Sequence, residues 1–155
     1  MSTEKRVALK SLVNYTVVIT VPDLHFRREF KKVNEVRYVP YDTMLELVSN
    51  PGVSKMIEEG IIYVMDEEDR IAFGLQEEPE KPSFVPLTDL EILKLLKSET
   101  IEKFTSTIND QPIEQVKRIA EVAIKNKAID YNKNEILKSA CGVDALGAIQ
   151  EINEA

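Results

Sequence analysis

The chain reads as an α+β protein in two parts, a β-rich front half with a small mixed or antiparallel sheet and two short helices, then an all-α rear half. Three observations predict this. Apolar residues alternate with period two near the N-terminus; a Pro/Glu-rich stretch interrupts the chain near its middle; and from there on the apolar spacing is helical. The expected organisation is a β-rich domain over residues 1–76, a linker over 77–86 and a helical domain over 87–155.

The first element is a strand in which Val13, Tyr15, Val17, Ile19 and Val21 alternate with Asn14, Thr16 and Thr20. Pro22 lacks the backbone donor a central strand needs, so the spacing predicts a stop there and a turn over Pro22-Asp23-Leu24. The basic sequence that follows shows little periodicity. A second strand is expected from Val33 to Val39, with Val36 and Tyr38 on the apolar side and Pro40 ending it.

From Asp42 the period lengthens. Met44, Leu47 and Val48 form a short helical stripe, and Thr43 with Glu46 has capping-box spacing. Asn50 as N-cap and Pro51 at the first helical position start a second helix, with Val53, Met56 and Ile57 inward and Gly60 placed for a left-handed C-cap. Ile61 to Met65 reads as a buried strand, Asp66-Glu67-Glu68-Asp69 as a turn, and Ile71 to Leu75 as a short edge strand. Pro79, Pro82 and Pro86, mixed with Glu77, Glu78 and Glu80, resist both helix and sheet and mark the linker.

In the rear half Thr88 and Glu91 have capping-box spacing ahead of Leu90, Leu93, Leu95 and Leu96. A second helix carries Ile101, Phe104 and Ile108. Pro112 opens a third, striped by Ile113, Val116, Ile119, Ala120 and Ala123. Asn132 and Glu135 are expected to cap a fourth, which buries Ile136, Leu137 and Ala140, places Cys141 in the core and ends at Gly142. Asp144 caps a last helix bearing Leu146, Ile149 and Ile152.

Composition narrows the function classes. With 43% hydrophobic residues in 155 the chain can build a core, and its longest wholly apolar run, Ile61 to Met65, is far shorter than a membrane span. The opening Met1 to Arg6 lacks the apolar core of a secretory signal, and the single cysteine excludes an internal disulfide, so a cytoplasmic setting is expected. The formal charge of -7 is uneven: residues 1–40 hold eight Lys or Arg against four Asp or Glu, whereas residues 41–155 hold twelve against twenty-three. Such asymmetry can steer the basic end of one copy toward the acidic body of another, or toward a different acidic surface.

No group of residues points to bond chemistry. His25, the only histidine, has no neighbour in sequence to orient it as an acid or base, and a pairing with Cys141 would require the two halves to fold against each other. The window from Asp66 to Glu77 fails as a calcium loop, because Ile71 stands where glycine is required and Arg70 where a ligand is required. The five glycines form no phosphate-binding loop. No catalytic residue, metal ligand or cofactor is expected. The one distinctive surface is the basic cluster Arg27, Arg28, Lys31, Lys32 and Arg37, interleaved with Phe26, Phe30 and Tyr38. The acidity of the remainder makes a protein a better partner for it than nucleic acid.

The stretch from Val13-Asn14-Tyr15 through Pro22-Asp23-Leu24, with Val36 to Val39, Leu45-Glu46-Leu47, Asn50-Pro51-Gly52-Val53 and Glu59-Gly60-Ile61-Ile62-Tyr63-Val64, resembles small structural proteins of tailed bacteriophages. The likeness extends through Leu87-Thr88 to Ala145-Leu146. It implies a non-enzymatic virion component, a capsid-associated auxiliary (decoration) protein or a head-tail connector part, assembled in the host cytoplasm through capsid, connector or like-chain contacts. The rival expectation is a small acidic regulatory or inhibitory protein that binds a host enzyme through the helical half.

Overall fold

A computed structural model describes residues 5–154. The charged opening Met1 to Glu4 lies outside them. The chain divides into two compact units, with the boundary between Ser83 and Phe84. Among the described residues no helix is long and apolar enough to cross a membrane.

Unit 1 is built on two small antiparallel sheets, so the mixed alternative falls away. Strand β1 (Arg6–Ser11) is central in a three-stranded sheet between β4 (Val36–Pro40) and β5 (Ile62–Val64). Strands β2 (Val17–Val21) and β3 (Phe26–Phe30) form a separate hairpin. The long first strand expected over Val13 to Val21 is corrected: only Val17–Val21 is strand, and the sheet's centre is the earlier segment Arg6–Ser11, for which no strand was expected. Val7 and Leu9 alternate with the charged Arg6 and Lys10 and are fully buried, the signature of a strand with one wet face. β3 was hidden for the same reason, because Arg27, Arg28 and Glu29 separate two buried phenylalanines.

Three helices complete unit 1: α1 (Tyr41–Leu47), α2 (Pro51–Glu58) and α3 (Glu67–Ala72). The capping box expected at Thr43 and Glu46 does not form. α1 starts directly after β4 with Pro40 at the cap and no side-chain bond there, although Met44 and Leu47 are buried as the stripe requires. Asn50 does cap α2, its Oδ1 accepting from Gly52 and Val53, and Gly60 adopts the left-handed conformation at φ 83°. Where a turn was expected at Asp66 to Asp69 and a strand at Ile71 to Leu75, a short helix runs from Glu67 to Ala72, and Phe73 to Leu75 form the turn that follows it. Glu67, Glu68 and Asp69 occupy its first turn, where the helix dipole favours carboxylates, and Arg70 lies in its last turn.

The Pro/Glu segment is folded back on unit 1. Glu80 donates its backbone N–H to Glu67 Oε1, Gln76 Nε2 donates to Glu78 O, and Ser83 Oγ donates to Leu75 O. Prolines remove backbone donors, but the remaining polar groups find side-chain partners.

Unit 2 holds five helices: α4 (Asp89–Lys97), α5 (Ile101–Asp110), α6 (Ile113–Asn126), α7 (Tyr131–Cys141) and α8 (Ala145–Glu154). Their inner faces converge on Phe104, Ile119, Ala120, Ala123 and Leu137, each at most 1% exposed. The Thr88–Glu91 capping box is complete in both directions. The inner face of α4 is Ile92, Leu95 and Leu96, with Leu90 left 79% exposed. α7 is capped by Asp130, which accepts from Lys133 N–H at 2.8 Å; Asn132 is already inside the helix. Leu137 is buried, and Ile136 and half-buried Cys141 pack against the core as expected, but Ala140 is exposed.

Candidate functional site

The surface to be explained is the basic cluster of unit 1, and it begins with the turn that makes the β2–β3 hairpin. Pro22 fixes a single 3-10 turn, after which His25 takes a left-handed conformation at φ 50° and returns its N–H to Pro22 O at 3.0 Å. That reversal brings Phe26 opposite Val21 and Phe30 opposite Val17, so both rings enter the core with Ile19. The intervening Arg27 stands on the solvent side opposite Thr20.

The five cations expected to form one patch separate into two groups. Arg27 is neutralised by Glu29, with Nη2 to Oε2 at 3.0 Å. Arg28 holds the hairpin to the sheet: its Nε donates to Tyr38 O on β4, its Nη1 donates to Arg27 O, and its guanidinium lies 4.8 Å from the centre of the Phe26 ring. A planar fork with several donors suits such a joint better than lysine would. Lys31, Lys32 and Arg37 differ. All three are exposed, and none has a carboxylate within ion-pair distance among the described residues.

Lys31 and Lys32 stand where β3 leaves the hairpin, and Glu35 fixes that turn by accepting the Lys31 N–H at 3.0 Å. The turn is pinned to the C-terminal end of β1, with Asn34 N–H donating to Ser11 O and Ser11 N–H donating to Glu35 O. Asn34 has φ 68°, a left-handed position that asparagine tolerates. Register then adds a cation that sequence distance conceals. Lys10 lies between Val36 on β4 and Tyr63 on β5, on the outer face of the sheet.

The second strand was expected to bury Val36 and Tyr38. Instead Val39 is fully buried opposite Val7, while Tyr38 is 57% exposed opposite Ala8. A shift of one residue exchanges the two faces of a strand. The outcome is an aromatic ring on the open face, diagonal to Lys10, while Arg37, paired with Leu9, lies on the other face of the sheet. The site is thus a cationic corner with one exposed tyrosine, formed where the ends of β1, β3 and β4 meet.

The opposite end of β1 holds a buried carboxylate. Asp69 is 1% exposed, and its Oδ1 lies 2.9 Å from Lys5 Nζ, the only cation that reaches it among the described residues. The hydrogen bond to that carboxylate holds the Lys5 ammonium above its usual range. Lys5 also sits 4.9 Å from the Tyr41 ring centre. Glu68 near this pair is exposed, as is Arg6 at the same end of β1, while the segment with Glu77, Glu78 and Glu80 is bound through Gln76 and Glu67 to the region of Arg70, and Glu78 pairs with Lys81.

Other sequence-level candidates are placed as follows. His25 is exposed at the hairpin turn of unit 1, and Cys141 is half-buried at the end of α7 in unit 2. Among the described residues no three His, Cys, Asp or Glu side chains are grouped to hold a metal ion. No family model, curated protein or solved structure matches the chain.

Proposed function

We propose that this is a non-enzymatic assembly protein that acts through protein surfaces, with the cationic corner of unit 1 as its docking element. The observation that carries the reading is the contrast within the basic cluster. Two arginines are satisfied inside the unit, whereas Lys31, Lys32 and Arg37 are exposed with no ion-pair partner among the described residues, and Tyr38 on the same unit is exposed as well. Exposed cations and an exposed aromatic on one unit suit a protein partner, because the ring supplies contact area and the charges supply orientation. The finer form of the proposal is a virion part, a capsid-associated auxiliary or connector component, and rests on the phage-like sequence pattern.

The test is sedimentation of material from the source. The expected result is that the chain travels with particles in fixed stoichiometry, and that combining Lys31→Glu, Lys32→Glu and Arg37→Glu moves it to the free fraction. Equal retention of that triple variant on particles would remove the corner from the proposal. Recovery of the native chain only with one soluble enzyme would replace the proposal with the regulatory reading.

A further inference from the structure

We infer that the free edge of β2 pairs with the same edge of a second copy, joining two hairpins antiparallel into one four-stranded sheet. Strand β2 is bonded to β3 on one side only; on the other, among the described residues, nothing hydrogen-bonds to the Val17–Val21 backbone. All five of its residues are β-branched, and it holds no charge, glycine or proline, a composition that favours strand pairing. The other edges of unit 1 are blocked. β4 ends in Pro40, which has no N–H, and Arg28 occupies its Tyr38 O; that same bond holds β3 toward β4. β5 is three residues long, and Arg70 occupies its Val64 O. β2 carries none of these protections.

The sequence of the strand selects a second copy as the occupant. Val17-Val18-Ile19-Thr20-Val21 is nearly the same read in either direction about Ile19. Antiparallel pairing across a twofold axis therefore sets Ile19 opposite its own copy, Val17 opposite Val21 of the second copy, and Val18 opposite Thr20. Val17, Ile19 and Val21 are already buried on the core side, so two apolar rows meet beneath the joint. Val18 and Thr20 are exposed and become β-branched cross-strand pairs on the wet side. A slip of one residue would turn the second copy's apolar row to water, which fixes the register.

No like charges oppose the joint. On β3, Arg27 and Glu29 neutralise each other and Arg28 is bound to Tyr38 O. Asp23 sits in the turn, and the two copies of it fall at opposite ends of the joint, about 26 Å apart at about 3.3 Å per residue. That is well beyond the screening length of about 8 Å. Pro22 follows each β2 and closes the ladder at both ends. The pairing is isologous and uses up the free edge of both copies, so it stops at a dimer. A two-stranded hairpin is a weak unit, and four strands make a stronger one. The cationic corner plays no part in this joint.

The experiment is sedimentation velocity of the full chain over a concentration series at low and high salt, with two variants of the exposed pair. Val18→Lys with Thr20→Lys sets lysine opposite lysine twice across the joint, whereas Val18→Lys with Thr20→Glu sets lysine opposite glutamate twice. The native chain is expected to reach dimers and nothing larger, equally at both salt concentrations. The double-lysine chain is expected to remain monomeric and the lysine–glutamate chain to dimerise, with circular dichroism matching the native chain in both. Hydrogen exchange on the native chain needs no variant: the Val17–Val21 amides that point away from β3 are expected to slow as the dimer fraction rises. A native chain that stays monomeric, a folded double-lysine chain that dimerises like the native one, loss of the dimer in both variants, or a dimer with unprotected β2 amides would overturn the inference. Protection of those amides only on particles would also overturn it, giving the edge to a different protein. Combining Lys31→Glu, Lys32→Glu and Arg37→Glu is expected to leave the dimer intact, so this inference and the proposed function fail separately.

Discussion

The two units hold a lysine in opposite ways. In unit 1 the carboxylate is the buried member: Asp69 is enclosed while the Lys5 side chain is 51% exposed. In unit 2 the ammonium itself is buried. Lys133 is 4% exposed and donates to Leu95 O at 3.0 Å and Leu96 O at 2.9 Å, closing the C-terminal end of α4 where the helix dipole is negative. Its charge also lies 5.6 Å from the Phe104 ring centre. Unit 1 thus joins distant segments through an ion pair with one foot in water, and unit 2 joins helices through a cation held by backbone carbonyls. Each takes a full charge out of solvent, but Lys133 meets two carbonyls, whereas Asp69 Oδ2 has no hydrogen-bond partner among the described residues.

The comparison can be broken first at the cores. Phe30 and Phe104 are each fully buried, in separate apolar clusters. Phe30→Ala is expected to destabilise unit 1, and Phe104→Ala unit 2, by about 3–5 kcal/mol each. Urea titrations followed by the methyl resonances of Ile19 and Ile62 in unit 1, and of Ile92 and Ile119 in unit 2, measure this. A loss well under about 1 kcal/mol in either would contradict the packing described.

A smaller effect tests the buried ammonium. Lys133→Met keeps an unbranched stem but leaves two helix-terminal carbonyls without their donor, with an expected loss of about 1–3 kcal/mol from unit 2. Removing a buried charge also removes its desolvation penalty. The loss of two charge-assisted bonds at a helix end outweighs that relief, and the same methyl titration reads the sign. A gain in stability would show that Lys133 serves something other than the fold.

The smallest effects are the pH responses, and they run in opposite directions. Hydrogen bonds from Thr88 hold the Glu91 carboxyl below its usual range, and Asn134 with the Gly147 N–H does the same for Asp144. Folded values below the unfolded ones give stability that is complete above the unfolded carboxylate range and disappears as pH falls through the folded values, below about pH 4. Lys5 has the opposite sense. Its raised folded value gives stability that is complete below the ordinary ammonium value near about 10.4 and disappears as pH rises through the higher folded one. Acid is expected to weaken the α4 and α8 caps of unit 2, and strong alkali the β1–α3 joint of unit 1, as read by methyl spectra at the two extremes.

What could be read from the sequence follows the same division. In unit 2 the decisive signals are local: Thr88 and Glu91 are three residues apart, and the stripe through Val116, Ile119 and Ala123 lies within one helix. Unit 1 depends on pairings across the chain. Val7 meets Val39, and Leu9 meets Val64, with no local signal to report either contact. Charges at alternate positions in β1, and three consecutive charges in β3, give both the look of solvated sequence. The acids of α3 looked like a turn, although three carboxylates ahead of an arginine also fit a short helix with favourable dipole placement. At the candidate site the five cations could be named from the sequence, but their division could not. Arg27 and Arg28 are satisfied by Glu29 and by the Tyr38 carbonyl, while Lys10 joins only through strand register.

The position of β1 also governs how the protein is made. It leaves the ribosome before both of its neighbours, β4 and β5, which are encoded later. At about 5–20 residues added per second, Val7 and Leu9 wait several seconds before Ile62 and Val64 are even synthesised. During that interval the strand destined for the middle of the sheet has two unpaired edges and an uncovered apolar face. The nascent chain therefore offers a short, cation-flanked target for a holding chaperone, and Arg6 and Lys10 act as the gatekeepers that limit its aggregation in the meantime.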